Sequence, residues 1–169
     1  VGIVDGGPTV ALVAIQVLVH TVQFGLRQSG KSKLCAVLFL PHILDSGAAG
    51  REEYLRTFHD IATEVAKLPF AFVWVEANAQ PELESTLNIN GNFPTLAVLS
   101  VDKKVFAVPK ISWTKKNMGQ FLSGVLSGAE KSSKFAALPS IAAGSKWDGK
   151  DGELIVDEIS LDDLFGDDE

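Results

Sequence analysis

The 169-residue sequence has few of the side chains that bind metals or carry out redox chemistry. It contains one cysteine, Cys35, and three histidines, which are His20, His42 and His59. A single thiol excludes a disulfide within the chain, and it excludes any zinc or iron–sulfur site built from several cysteines of this chain. Hydrophobic residues make up 46% of the sequence. The chain is therefore expected to bury a sizeable core and to fold without a cross-link.

Basic charge is also scarce, and the acidic charge is concentrated at one end. The net charge of −6 argues against a nucleic-acid partner, because such binding needs Lys and Arg to replace the counterions of phosphates. Residues 148–169 hold ten acids and one base, whereas residues 1–147 hold eleven acids and fourteen bases. We therefore expect a mildly basic body followed by an acidic tail that is disordered or loosely docked on that body.

The acidic tail contains the residues of this chain that could bind a metal ion. Carboxylate oxygens suit Ca²⁺, and the weak calcium candidates are Asp162, Asp163, Asp167, Asp168 and Glu169. Residues 148–153 lack the alternating ligands and the distal Glu of a calcium-binding loop. We expect diffuse, weak Ca²⁺ binding at most, and no other cofactor. The alternative is a tail that only keeps the protein in solution.

The sequence contains no long hydrophobic run that predicts a membrane span. The longest apolar stretch, Val10–Val19, is too short and is interrupted by Gln16. No basic residue precedes it, so a signal peptide is not expected there, and neither is a membrane partner. The first residue is Val rather than Met, which suggests a fragment of a longer protein.

Apolar runs separated by turn residues predict alternating strands and helices. The predicted strands are 15–20, 34–40, 70–75, 95–101 and 104–108, and the predicted helices are 21–28, a long helix carrying Leu55, Phe58, Ala62 and Val65, a short one beginning at Pro81, and 114–126. The segment Ser46–Gly50 reads as a loop because of its Gly and Ala content. Two βαβ units followed by a hairpin and a closing helix predict an α/β thioredoxin fold, with a central mixed sheet flanked by helices.

This order divides the chain into four parts. Residues 1–14 are expected to be a linker or fragment edge, and residues 15–127 a non-catalytic thioredoxin-like domain. Residues 128–147 are rich in Ser, Gly, Ala and Lys and are expected to form a linker. The acidic tail, 148–169, follows. Within the domain, the bond between Phe93 and Pro94 is expected to be cis, as it is in thioredoxin-like folds.

Three segments resemble a specific kind of protein disulfide isomerase. They are Leu40–Arg51, Glu76–Glu84 and Trp147–Leu154. The likeness is to the third, redox-inactive thioredoxin-like domain, which follows two active domains and precedes an acidic tail with a retention signal. The resemblance implies an endoplasmic-reticulum lumen location and a role in protein folding. The last residues, Asp167–Glu169, are one Leu short of such a signal, so either the signal is absent or its last residue lies beyond this sequence.

The resemblance also implies where an active site has been lost. When the Tyr-Ala-Pro-Trp-Cys-Gly-His-Cys pattern of active domains is placed on Pro41, the nucleophilic cysteine falls on Ile43 and the resolving cysteine on Ser46. The buried glutamate that moves protons in active domains falls on Val37. Ile43, Ser46 and Val37 are thus degenerate catalytic positions, and we expect this chain alone to be inactive in disulfide exchange.

The remaining thiol and imidazoles have simpler interpretations than catalysis. Cys35 lies in the middle of an apolar strand, where a small buried residue is more common than a redox residue. His42 lies beside the former active-site loop, but no convincing nucleophile accompanies it. His59 lies off the apolar stripe of the long helix, so a solvated surface position is expected.

Three hypotheses about function remain. The first is a non-catalytic domain that binds unfolded or disulfide-forming clients or other endoplasmic-reticulum chaperones, with His42, Ile43, Leu44, Phe93 and Pro94 as the peptide-binding candidates. It allows for a domain that is only a spacer. The second is a separate enzyme on the same fold, which would need a thiol or an activated Ser that the sequence does not place. The third is a calcium-buffering or structural module that acts through the tail.

Overall fold

The computed structural model describes residues 34–89, 91–141 and 147–153. The elements run in the order β1 (Leu34–Leu40), α1 (Ile43–Glu64), β2 (Phe70–Glu76), α2 (Pro81–Thr86), β3 (Thr95–Ser100), β4 (Val105–Ala107), α3 (Lys115–Ser127) and β5 (Ser133–Lys134). The expected linker 1–14, the strand 15–20 and the helix 21–28 lie outside the described residues. So do the calcium candidates of the acidic tail.

The described strands form one mixed sheet in the order β2-β1-β3-β4-β5. β1 pairs with β2 in parallel and with β3 antiparallel, and β4 and β5 extend the sheet by antiparallel pairing. The central position of β1 explains its continuous apolar sequence, since both of its faces are covered. This arrangement confirms the predicted thioredoxin-like fold.

The alternation of side chains along β1 divides the core between the two faces of the sheet. Ala36, Leu38 and Leu40 pack with apolar residues of α1 and α3. Cys35, Val37 and Phe39 pack on the other face, with residues of α2 and with Phe135. Of the predicted stripe of the long helix, Leu55, Phe58 and Ala62 are buried and Val65 is partly buried. The apolar residues of the other two helices are buried as well, namely Leu83 and Leu87 in or next to α2 and Met118, Phe121 and Leu122 in α3.

The loop expected at Ser46–Gly50 is wrong. α1 begins at Ile43 and runs through this segment, with a kink at Gly47, where φ is 62° and ψ is 175°. The small residues resemble a loop in the sequence, but contacts from distant parts of the chain stabilise the backbone there, including a hydrogen bond that Ala48 N donates to Asp151 Oδ1. Only glycine adopts the Gly47 conformation without strain.

The segment after α3 differs from the linker expected at 128–147. Ser133 and Lys134 form β5, which pairs with β4 at the edge of the sheet. Phe135 is buried against Phe106, with ring centroids 6.4 Å apart. Leu138 and Ile141 pack partly against the same face of the core. No local pattern predicts this strand, because β5 has only two residues and both are exposed.

Candidate functional site

The candidate site lies at the edge of the sheet where β1 ends and β3 begins. Thr95, the first residue of β3, pairs with Phe39 near the end of β1. Pro41 follows β1 directly, and Pro94 precedes β3 with a cis bond to Phe93. The predicted cis proline is therefore confirmed, and the antiparallel register places both prolines at one edge.

The three positions that the resemblance marks as degenerate lie at the start of α1 and in the middle of the sheet. Ile43 is the first residue of α1, and Ser46 lies in its first turn, where its Oγ donates a hydrogen bond to the carbonyl of His42. Val37 is 1% exposed and pairs with Val73 and Ala97 in the middle of the sheet. Neither a thiol nor a proton-transferring carboxyl occupies these positions, so the edge carries no dithiol chemistry of its own.

The one thiol of the chain is inert by placement. Cys35 is 3% exposed and lies in β1 beneath α2, among Val37, Val73 and other apolar side chains. Burial disfavours the thiolate and raises the pKa of Cys35 from 9.0 to about 12. The interpretation of Cys35 as a small buried core residue is confirmed.

His42 caps α1 rather than standing ready as a base. Its Nδ1 accepts a hydrogen bond from Leu44 N at 3.3 Å, and its Nε2 lies 3.1 Å from Glu76 Oε1. The ring thus connects the helix start to the carboxylate that ends β2. With both nitrogens engaged, the ring stabilises the first turn of the helix.

Glu76, the last residue of β2, connects this cap to a buried cation. Its Oε1 also accepts a hydrogen bond from Ile43 N at 3.4 Å, and its Oε2 lies 2.7 Å from Nη2 of Arg51. Arg51 is 1% exposed, and its Nη2 donates a second hydrogen bond to the carbonyl of Pro41. A charge so deeply buried requires an opposite charge beside it, and Glu76 provides that charge.

Two indole rings flank the Arg51 guanidinium. Its Cζ lies 5.8 Å from the ring centroid of Trp74, in β2, and 5.5 Å from that of Trp147. The faces of indoles attract cations, so these rings add to the stabilisation that Glu76 provides. Nε of Arg51 is buried with no hydrogen-bond partner within the described residues.

Trp147 belongs to a segment that lies across the start of α1. We name residues 147–153 the strap. Asp151 of the strap accepts a hydrogen bond from Ala48 N. Gly152 lies so close to Ile43 and Leu44 that a Cβ at this position would be 2.7 Å from a side-chain carbon of each. These contacts involve only the start of the acidic tail, and residues 154–169 lie outside the described part of the chain.

The structure places the peptide-binding candidates at one edge but on different sides of it. His42 is the N-cap of α1, Ile43 and Leu44 are the first two residues of that helix, and Leu44 is 46% exposed. Phe93 is partly buried and packs against the core on the α2 side of the sheet. Pro94 lies between Phe93 and β3. Whether these five residues bind a peptide stays a prediction. His59 is on the surface of α1, with 42% of its side chain exposed.

Sequence reasoning missed the roles of Glu76, Arg51 and the strap. One signal was present for Arg51, because it precedes Leu55 and Phe58 at helical spacing and so continues the apolar stripe of α1. A charged residue on a core stripe implies a buried partner. Glu76, the last residue of the neighbouring strand β2, is that partner. The strap gave no comparable signal, since its contacts span about a hundred residues of sequence.

The described residues contain neither a cluster of metal ligands nor a helix that could span a membrane. No group of His, Cys, Asp or Glu side chains within 34–89, 91–141 and 147–153 is arranged to hold a metal ion. Among the helices of these same ranges, none has the length and hydrophobicity needed to cross a bilayer.

Comparison with curated proteins identifies homologues. Protein disulfide-isomerase 2-3 of Arabidopsis thaliana is 37% identical over 145 residues, which cover 85% of this chain and 33% of that protein. Protein disulfide-isomerase A6 of Homo sapiens is 39% identical over 146 residues, covering 84% of this chain and 33% of that protein. Protein disulfide-isomerase like 2-2 of Arabidopsis thaliana is 37% identical over 142 residues, covering 83% of this chain and 32% of that protein. The chain thus spans about a third of the length of these relatives. No protein-family model matches it.

Proposed function

Because this chain belongs to the protein disulfide-isomerase family, we propose that it binds unfolded clients without catalysing thiol–disulfide exchange. The resemblance places the cysteines of active members on Ile43 and Ser46, and neither residue has a thiol. The chain acts in the lumen of the endoplasmic reticulum, where it supports oxidative folding while other domains of the same protein carry out the thiol chemistry. Its partners are unfolded or disulfide-forming proteins and other chaperones of that compartment.

One observation carries this proposal. Leu44 is a large apolar side chain that is 46% exposed, next to half-buried Ile43, at the edge where the family has its active site. Exposed apolar side chains beside a sheet edge suit an extended, unfolded segment better than a folded surface or a charged ligand.

A titration of the isotopically labelled chain with reduced, carboxymethylated α-lactalbumin, which stays unfolded, tests the proposal. We expect amide shifts at 42–44, at Phe93 and at Thr95, and weaker binding by the Leu44→Asp variant. Leu126→Asp is the matched control, because Leu126 is 39% exposed but lies near the end of α3. The absence of shifts at millimolar client, or equal weakening by both variants, contradicts the proposal.

A further inference from the structure

The strap is a small folded turn in its own right. Nε1 of Trp147 donates a hydrogen bond to the carbonyl of Lys150 at 2.9 Å, and Lys150 N donates one to Asp148 Oδ1 at 3.0 Å. Gly149 between them has a φ of 86°, a conformation that favours glycine. These contacts hold the turn closed and direct the Trp147 ring and the Asp151 carboxylate toward the same surface.

That surface offers one partner to the Trp147 ring and another to the Asp151 carboxylate. We call these two partners, together with the apolar side chains of Ile43 and Leu44, the strap site. One partner is the Arg51 guanidinium, whose Cζ is 5.5 Å from the Trp147 ring centroid. The other is the amide of Ala48. Since Gly47 interrupts the helix, Ala48 begins a new helical run, and its N–H lacks the partner of an interior residue. Asp151 accepts that hydrogen bond, as an N-cap residue does, from far along the chain.

Close packing adds a size requirement to these two contacts. A side chain at position 152 would meet Ile43 Cγ2 and Leu44 Cδ2 at 2.7 Å. The strap site therefore accommodates three features of the strap. They are the aromatic ring of Trp147, the carboxylate of Asp151 four residues later, and the absence of a side chain at Gly152, which follows Asp151.

The strap is held at a few points. Residues 148–151 and 153 are exposed, and only Trp147 and Gly152 are half-buried. Trp147 packs partly against the core, Asp151 accepts one hydrogen bond, and Gly152 lies against Ile43 and Leu44. Covalent attachment adds to these contacts an effective concentration on the order of millimolar. A free peptide of the same chemistry competes with it on those terms.

We propose that the strap site is a peptide-binding site for turns that carry an aromatic residue followed four positions later by a carboxylate, and that the strap is its built-in competing ligand. The consequence for clients rests on the proposed function. A client segment that packs fully on Ile43 and on the covered side of Leu44 must displace Gly152, whereas the exposed part of Leu44 stays accessible. The strap therefore lowers the apparent affinity of the edge for such clients.

The test uses the full chain and the peptide Trp-Asp-Gly-Lys-Asp-Gly-Glu. In the opened chain, Trp147→Ala with Asp151→Ala, we expect the peptide to shift the Ala48 amide resonance. We expect its apparent Kd to be at least about tenfold lower than with the unmodified chain, since a strap that is docked more than nine-tenths of the time leaves less than a tenth of the sites open. Glu153→Gln, an exposed change in the same segment, is the control and should match the unmodified chain. A peptide with Ala in place of Trp should bind more weakly.

A second variant guards against a folding defect in the first. Gly152→Val keeps Trp147 and Asp151 but adds the side chain for which Ile43 and Leu44 leave no room. It should also bind the peptide more tightly than the unmodified chain does. Amide exchange of β1 and β3 confirms in each case that the sheet is intact. Equal affinity of opened and unmodified chains, or an Ala48 resonance that the peptide leaves unshifted in the opened chain, overturns the proposal.

A client arm separates this inference from the proposed function. Tighter binding of carboxymethylated α-lactalbumin by the opened chain than by the Glu153→Gln control supports both. Peptide binding without client binding supports the strap site and refutes client binding at this edge. Equal client binding by both chains, with no peptide binding, supports the proposed function and refutes the strap site.

Discussion

Nη2 of Arg51 lies 2.7 Å from Oε2 of Glu76, so that the cation buried beneath α1 is paired with the carboxylate that ends β2. The other oxygen of Glu76 contacts the Ile43 amide and the His42 ring at the start of α1. One carboxylate thus fixes both the helix start and the buried guanidinium. The ion pair thus lies beside Ile43, the position on which the resemblance places a lost nucleophile.

Removing Glu76 should destabilise the domain far more than removing an exposed carboxylate. We expect Glu76→Ala to lower the free energy of unfolding by about 3 kcal/mol, because it leaves Arg51 as an unpaired buried charge. Glu64→Ala is the control, since Glu64 pairs with Lys115 at 3.2 Å but both side chains are more than half exposed; its effect should stay below about 1 kcal/mol. Urea denaturation measures both. If the two losses are similar, Arg51 does not depend on Glu76.

A double-mutant cycle isolates that pair. Arg51→Met removes the buried charge, so Glu76→Ala in that background should cost less than it does alone, by at least about 1 kcal/mol. Additive losses would mean that the 2.7 Å contact does not couple the two residues energetically.

The Cys35 thiol should make stability fall at alkaline pH. Its pKa is 9.0 ordinarily and about 12 in the folded chain, so the unfolded state loses the proton first. The stabilisation is complete below pH 9 and is lost as the pH rises from there toward 12, with a slope approaching about 1.4 kcal/mol per pH unit. Denaturation between pH 8 and 10.5 should show this extra slope in the native chain and not in Cys35→Ala. Parallel profiles would mean that the thiol ionises in the folded chain.

The chain alone should not reduce insulin. Exchange needs an exposed thiolate and a second thiol to release the mixed disulfide, and the only thiol is 3% exposed. We expect Ile43→Cys with Ser46→Cys to remain far slower than a Cys-Gly-His-Cys domain, because Val37 cannot transfer a proton and the Glu76 carboxylate next to position 43 disfavours a thiolate. Insulin turbidity measures both chains. Activity of the unmodified chain that Cys35→Ser abolishes would overturn the non-catalytic assignment.

Gly47 and Gly50, which are three residues apart, should respond to alanine with opposite changes in the stability of the domain. Gly47→Ala should destabilise by roughly 1–3 kcal/mol, because φ is 62° there and a Cβ would lie 3.2 Å from Asp151 Oδ1. Gly50→Ala should stabilise by up to about 1 kcal/mol, because its Cβ would meet only Ser46 Cβ at an ordinary 3.5 Å. Thermal unfolding compares them. Destabilisation by both would place Gly50 outside a regular helix in solution.

The domain should extend beyond α3. Phe135→Ala should cost about 3 kcal/mol, as a buried aromatic does, because the ring is 7% exposed and packs on Phe106. Ser133→Ala is the control, since Ser133 is exposed in the same short strand. Urea denaturation measures both variants. If Phe135→Ala unfolds at the same urea concentration as the control, residues from 133 onward act as a linker.

Local sequence patterns predicted most of the sheet and two of the three described helices accurately. β1, β2 and β3 are long apolar runs, and their burial on both faces is what such runs signal. The start of α1 could not be predicted in this way, because Ser46–Gly50 has the composition of a loop. Its helical form depends on His42, Glu76 and Asp151, of which two are distant in sequence. The degenerate positions were inferred from the resemblance. The ion pair between Arg51 and Glu76 and the docking of the strap could not be predicted, because they depend on tertiary contacts between residues distant in sequence.

The hydrogen bond between Ala48 and Asp151 joins positions 103 residues apart, and that separation has a consequence during synthesis. Chains are made from the amino terminus, and domains fold as they emerge. α1 and the sheet around it are therefore made before the strap exists. The nascent domain therefore presents Ile43 without Gly152 packed against it. The strap can dock only after it has been synthesised and has left the ribosome, so every molecule passes through a period in which the start of α1 lacks the strap.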